Sequence, residues 1–82
     1  MSKWVKKWRS MAARVLFRHG LRPRNNSDKP IFFKHSICLG TIMAIPDGDR
    51  AVISIPEINF CRVMKASMIE RFLKMLEARG LL

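Results

Sequence analysis

Apolar residues near the N-terminus recur with the period of a helix. When residues 3–19 are projected at about 100° per residue, one sector collects these side chains: Trp4, Val5, Trp8, Met11, Ala12, Val15, Leu16 and His19. The remaining arc is mainly basic. Ser2 is suited to cap the start of this helix, and Gly20 is suited to end it through a left-handed residue. The pattern predicts one amphipathic helix over residues 3–19.

From Ile31 onward the pattern changes to that of β-strands. Residues 31–33 are β-branched and aromatic, residues 37–45 are apolar on both faces, and residues 50–55 alternate. The segment Pro-Asp-Gly-Asp at 46–49 has the composition of a turn. We therefore predict a β-hairpin over residues 37–55, with strand 37–45 in the centre of the sheet. Two structures fit residues 57–66, because their alternation is typical of a strand while Asn59 is typical of a helix cap.

The C-terminal segment predicts a second helix. Ser67 and Glu70 have the spacing of a capping box. Glu70 and Lys74 form a favourable pair four residues apart, and Gly80 is placed to end the helix, with Leu81 contacting its last turn. A stripe at helical spacing predicts the buried side: Ile69, Phe72, Leu73 and Leu76.

These elements predict a protein of the α+β class. We expect a single small domain over residues 1–82 in the order α-β-β-β-α, with N- and C-terminal helices packed on a short antiparallel sheet. Residues 1–34 provide a cationic helix and loop, and residues 35–82 provide the β-hairpin and the C-terminal helix. Residues 20–30 are predicted to be a loop, because Pro23, Pro30 and a run of turn-forming residues lie there.

The element order is similar to that of double-stranded-RNA-binding domains and of small toxins of the HicA type. The motifs of both families are missing from this sequence. The last helix begins with SMIE instead of a basic cluster, and Lys34 instead of a glycine precedes His35. The order alone therefore implies a fold and no function.

The net charge of the chain is strongly positive and unevenly distributed. The chain has sixteen Lys and Arg residues against six Asp and Glu, a formal net charge of +10. Residues 1–34 hold ten of the basic side chains and one acidic side chain, a net of +9. Such a surface suits a polyanion, because Lys and Arg release counterions from a phosphate backbone. The residues predicted to contact nucleic acid are Lys3, Lys6, Lys7, Arg9, Arg14, Arg18, Arg22 and Arg24.

We therefore predict a non-enzymatic nucleic-acid-binding module, with RNA favoured over DNA, that contacts phosphates through the N-terminal helix. The alternative is a small adaptor or inhibitor that docks on an acidic surface of a larger nucleic-acid-processing enzyme, since methionine-rich apolar segments suit adaptable interfaces. A solvated helix face and contact with a membrane surface are further interpretations of the same charge. Phe17 projects into the basic arc, where it can stack on a ligand, contact a partner, or turn inward at the helix end.

Candidate catalytic and metal chemistry is sparse. His35 is a candidate general base for an RNase toxin, but the sequence places no second acid or base beside it. Asp47 and Asp49 offer fewer oxygen ligands than a calcium site needs, and turn chemistry accounts for them. We predict no catalytic residue, no metal ligand and no cofactor.

Cys38 and Cys61 lie in apolar surroundings without the ligand spacing of a zinc site. We expect two buried free thiols in a reducing, cytoplasmic compartment. No apolar run approaches the roughly 18–20 residues of a membrane span. The Arg-rich, acid-free N-terminus is also typical of a mitochondrial presequence, but Trp4 and Trp8 are unusual in one, so a mitochondrial location is the less favoured prediction.

Overall fold

The computed structural model describes residues 10–24 and 29–82. In this part of the chain, two helices enclose five strands in the order α-β-β-β-β-β-α. The helices are α1, Met11–Arg18, and α2, Ala66–Ala78. The strands are β1, Arg22–Pro23; β2, Phe32–Ser36; β3, Gly40–Asp47; β4, Arg50–Ile55; and β5, Phe60–Lys65. A single 3-10 turn, Pro56–Ile58, joins β4 to β5.

All five strands form one antiparallel sheet in chain order. The predicted α+β class and the two terminal helices on an antiparallel sheet are confirmed, but the sheet has five strands where three were predicted. The segment left open in the sequence is β5, which pairs with β4 along its whole length. The predicted loop 20–30 contains the short strand β1, and Pro23 is tolerated there because β1 lies at the edge of the sheet.

Both helices pack on the same side of the sheet, which we call the covered face. Side chains alternate along each strand, so that Phe32, Ile42, Ile53, Ile55 and others point to this side and are buried. They meet the apolar stripes of the two helices. From α1 these are Ala12, Ala13, Val15 and Leu16, and from α2 they are Ala66, Ile69, Leu73 and Leu76.

The turn between β3 and β4 fixes the start of both helices. The Gly48 carbonyl accepts a hydrogen bond from Ala12 N at 3.2 Å, and the Asp49 carbonyl accepts one from Ala66 N at 2.7 Å. Gly48 has φ +65°, as the first central residue of a two-residue hairpin closed by the Asp47 and Arg50 pair. The two helices therefore begin at the same end of the sheet.

The first helix differs from its prediction at its start. Ser10 is extended, with ψ 141°, and its hydroxyl accepts a hydrogen bond from Ala13 N at 3.0 Å. Ser10 is thus the N-cap of a helix that begins at Met11, and a single helix running through residues 3–19 is wrong. Its part before Ser10, including the proposed cap at Ser2, lies outside the described residues.

The second helix confirms its predicted end and corrects its predicted start. Gly80 has φ +71°, and Leu81 N donates to the Leu76 carbonyl at 2.8 Å, as expected for a glycine-terminated helix. At the other end the N-cap is Lys65, with no side-chain hydrogen bond, and Ser67 already lies inside the helix. The predicted capping box is wrong, because Ala66 N bonds to the β3–β4 turn instead.

The connection between β2 and β3 also departs from the prediction. Residues 37–39 form a turn instead of the start of a central strand, and Ser36 Oγ accepts a hydrogen bond from Leu39 N at 3.2 Å. Ile37 at this turn is 99% exposed. Cys38 and Cys61 are free thiols, as predicted, but both are exposed, so the prediction that they are buried is wrong.

Candidate nucleic-acid interface

Four arginines follow one another from α1 to the edge of the sheet, and we call them the arginine path. They are Arg14, Arg18, Arg22 and Arg24, and residues 10–24 contain no acidic residue. All four are exposed. They are the described half of the predicted contact set. The other half, Lys3, Lys6, Lys7 and Arg9, lies outside the described residues.

Arg14 and Arg18 lie one helical turn apart on the exposed side of α1. Arg18 Nη1 is 3.1 Å from Glu70 Oε1 on α2, so part of its charge is compensated. Arg14 has no ion pair with any described residue. Of the two, Arg14 therefore has the charge that is more available to an external anion.

Arg22 is held at the C-terminal end of α1. Its Nη1 donates to the carbonyl oxygens of Phe17, at 2.7 Å, and Leu21, at 2.9 Å. Its guanidinium carbon lies 3.8 Å from the centroid of the Phe17 ring. A cation suits the negative end of a helix, so Arg22 has a structural role in addition to any contact with a ligand. Phe17 does not turn inward, since its side chain is 36% exposed beneath this guanidinium.

Arg24 continues the path onto the far side of the sheet. Its backbone N–H donates to the Ile31 carbonyl at 3.3 Å, and its guanidinium carbon lies 4.8 Å from the centroid of the Phe33 ring. No described carboxylate pairs with it. Arg24 is thus the point at which the cationic surface meets the uncovered side of the sheet.

A histidine clasp joins the end of α1 to α2. His19 is 9% exposed, and its Nδ1 and Nε2 lie 2.6 Å from Glu77 Oε1 and 2.9 Å from Glu70 Oε2. Both ring nitrogens of His19 therefore have a carboxylate oxygen of α2 within hydrogen-bond distance. The clasp explains why His19 falls in the apolar sector of the helix. The carboxylate of Glu70 also forms ion pairs with Arg18 and Lys74.

The pKa of Glu70 is lowered from its ordinary value of 4.5. The main cause is the hydrogen bond from His19. Burial opposes the lowering, and the charges of Arg18, His19 and Lys74 add to it. The predicted pairing of Glu70 with Lys74 is confirmed at 3.6 Å.

The side of the sheet opposite the helices carries a second surface, which we call the open face. Strand register fixes its layout, because paired residues point to the same side. One row crosses four strands through Phe33, Met43, Ser54 and Cys61, and a second pairs Ile45, Val52 and Val63. His35 and Thr41 complete the open face next to the β2–β3 turn.

The open face is apolar in the middle and charged at its margins. Ile45 is 42% and Val63 is 65% exposed. A cavity of about 270 Å³ opens beside them, lined by Ile45, Asp47, Arg50, Ala51, Val52 and Val63. This surface was not predicted from the sequence, although the alternation within residues 50–55 and 57–66 places several of its side chains on one side.

Chemistry other than binding has little support in these residues. His35 is exposed, and no described acid or base forms a hydrogen bond with it. Within residues 10–24 and 29–82, no group of three or more His, Cys, Asp or Glu side chains is placed to hold a metal ion. Among the same residues, no helix is long and apolar enough to cross a membrane.

Comparisons with known proteins found no relative of this chain. No protein-family model matches its sequence, and neither curated proteins nor solved structures show a significant similarity. Its function is therefore inferred from the arginine path and the open face.

Proposed function

We propose that this chain is a non-enzymatic nucleic-acid-binding protein, with RNA favoured over DNA, that contacts phosphates through the arginine path. The main support for this proposal is the distribution of charge within residues 10–24. Residues 10–24 present four exposed arginines and no acidic residue, and among the described carboxylates only that of Glu70 forms an ion pair with one of them, Arg18.

The four arginines differ in the contacts that they make within the protein. Arg14 and Arg24 have no ion pair with a described carboxylate, and the Arg24 guanidinium lies over the uncharged Phe33 ring. Arg18 and Arg22 also bind within the protein, to Glu70 and to the end of α1. We therefore expect Arg14 and Arg24 to contribute most to phosphate contact, and Arg18 and Arg22 to contribute less.

A salt titration tests phosphate contact directly. Affinity for a fluorescent oligouridylate of about 12 nucleotides is measured by anisotropy between about 50 and 200 mM salt. The logarithm of the affinity should fall linearly with the logarithm of the salt concentration, with a slope of about −0.7 for each phosphate that is neutralised. Binding that does not depend on salt would exclude phosphate contact.

Charge reversal locates the contact. The double variant Arg14→Glu, Arg24→Glu should weaken binding by roughly tenfold or more and reduce the magnitude of the salt slope by about 1.4, which is about 0.7 for each of the two lost contacts. The matched control is Arg71→Glu, Arg79→Glu, which makes the same change in net charge at exposed positions outside the arginine path. Equal losses in both variants would show that binding follows net charge alone and would contradict the assigned surface.

A purification experiment separates this proposal from the adaptor alternative. The tagged full chain is recovered from lysate with and without nuclease treatment. Co-purifying material should be lost on digestion. A stoichiometric protein partner that remains bound after nuclease treatment would contradict the proposal in favour of an adaptor or inhibitor.

A further inference from the structure

The open face and the arginine path meet at one edge of the sheet. Arg22 pairs with Phe33 in the strand register, so it begins the row that continues through Met43 and Ser54 to Cys61. The guanidinium of Arg24 lies over the Phe33 ring itself. An anionic chain held by these arginines is therefore already at the border of an uncovered sheet surface.

Charge on the open face is confined to its margins. Arg22 and Arg24 lie along one edge, and Arg50 and Lys65 lie at the β3–β4 end, with Asp47 as the acidic member of that row. The residues between them are uncharged and mostly apolar. The cations at the margins suit the charged backbone of a bound polyanion. The neutral, partly aromatic surface between them suits uncharged groups attached to that backbone.

Single-stranded nucleic acid matches this division. Its bases are unpaired and have flat apolar surfaces that stack on aromatic side chains, while its phosphates require cations. A duplex has its bases stacked internally and gains nothing from an apolar sheet. A second copy of this chain is also a poor match, because two open faces brought together would oppose their cationic rims.

We propose that the open face binds unpaired bases of single-stranded RNA, with one base stacked on Phe33 and the strand running along the row toward Cys61. This inference rests on the proposed function, since the arginine path holds the phosphates. In the bound state the base stacks on the face of the Phe33 ring in place of the Arg24 guanidinium, which pairs with an adjacent phosphate. The protein thus selects single strands over duplexes.

Variants of Phe33 test the stacking contact. Affinities are measured for the oligouridylate and for a duplex RNA with the same number of phosphates per strand. Phe33→Leu keeps an apolar side chain but removes the ring, so affinity for the single strand should fall roughly 5- to 150-fold, with duplex affinity unchanged. Phe33→Trp keeps a stacking surface and should retain single-strand affinity. Thermal unfolding of each variant checks that the fold is intact.

The unmodified protein provides a second measurement through its two exposed thiols. Cys61 lies on the open face, and Cys38 lies in the β2–β3 turn. Alkylation rates are measured by mass spectrometry with and without saturating oligouridylate. Bound RNA should slow the reaction of Cys61 several-fold and leave that of Cys38 nearly unchanged.

The outcomes distinguish this inference from the proposed function. If the chain binds neither RNA, both fail. A second result has three parts: single strand and duplex bind with equal affinity, Phe33→Leu has no effect, and Cys61 stays reactive. This result would show that the open face does not bind bases, although the arginine path still contacts phosphate. Protection of Cys61 by high protein concentration without RNA, together with a dimer in sedimentation, would overturn the inference in favour of a second copy.

Discussion

Ile53 and Ile45 are the same residue type on adjacent central strands, but their surroundings are opposite. Ile53 lies on the covered face and is 0% exposed, whereas Ile45 lies on the open face and is 42% exposed. The sheet therefore carries apolar side chains on both sides, and among residues 10–24 and 29–82 the two helices cover one of these sides. Apolar residues on the covered face stabilise the fold by being removed from water, and those on the open face remain available for a ligand.

The largest expected effect is the difference between these two isoleucines. Ile53→Ala leaves a cavity under both helices and should lower the free energy of unfolding by about 2–5 kcal/mol. Ile45→Ala removes the same atoms from a partly exposed site and should cost less than half as much. Urea unfolding of both variants measures the difference. Equal losses would show that the open face is covered in solution.

The next effect concerns a glycine at the end of the covered face. Gly40 has φ +80°, and a Cβ there would overlap the carboxylate of Glu57. Gly40→Ala should lower the free energy of unfolding by about 1–2 kcal/mol, the cost of a left-handed alanine, because the exposed Glu57 side chain can turn its carboxylate away from the new methyl group. Gly80→Ala is the matched control, since Gly80 has φ +71° with open space around its Cβ position. The two losses, measured by urea unfolding, should be similar, and a much larger loss for Gly40→Ala would show that the Glu57 side chain cannot move aside.

A smaller effect is expected from pH, through the histidine clasp over the covered face. The folded state lowers the pKa of Glu70, so the stability that this carboxylate contributes is fully present above its unfolded value of 4.5 and is lost as pH falls through the folded value. Urea unfolding from pH 6 downward should show this loss, and Glu70→Gln should reduce it. Glu57→Gln removes a carboxylate without a described ion pair and serves as the control. An unchanged pH dependence in Glu70→Gln would contradict the assignment.

The smallest effect tests the exposed thiols. Cys38→Ser and Cys61→Ser should each change the free energy of unfolding by less than about 0.5 kcal/mol, since substitutions at exposed positions remove little packing. Both thiols should react with a disulfide reagent in the native protein. A thiol that reacts only after denaturation would show that its side chain is buried.

The sequence predicted the covered face better than the open face for a physical reason. Helical periodicity reports burial against one surface, and the stripe of α2 is buried as its spacing predicts at Ile69, Leu73 and Leu76. Strand periodicity reports which residues share a side, but not whether that side is covered. Ile45 and Val63 alternate like core residues, and only the packing of both helices on the opposite side leaves them exposed.

Other differences arose where distant contacts decide local structure. Ser67 has the spacing of a cap, but the helix begins at Ala66 because the Asp49 carbonyl is there to accept its N–H. The apolar Ile37 predicted a strand, but Ser36 bonds to Leu39 N and turns the chain. Arg14, Arg18, Arg22 and Arg24 of the predicted contact set are exposed, and their contact with nucleic acid stays a prediction. The sequence did not reveal that Arg18 and Arg22 also bind within the protein.

The β3–β4 turn has a consequence for how the molecule opens. Successive carbonyls, those of Gly48 and Asp49, each hold the first turn of a different helix. The helices are far apart in sequence but share this anchor, so distortion of one two-residue turn weakens the start of both. Residues 11–18 and 66–78 should therefore lose protection from hydrogen exchange as one cooperative unit, and uncovering the sheet should require both to move together.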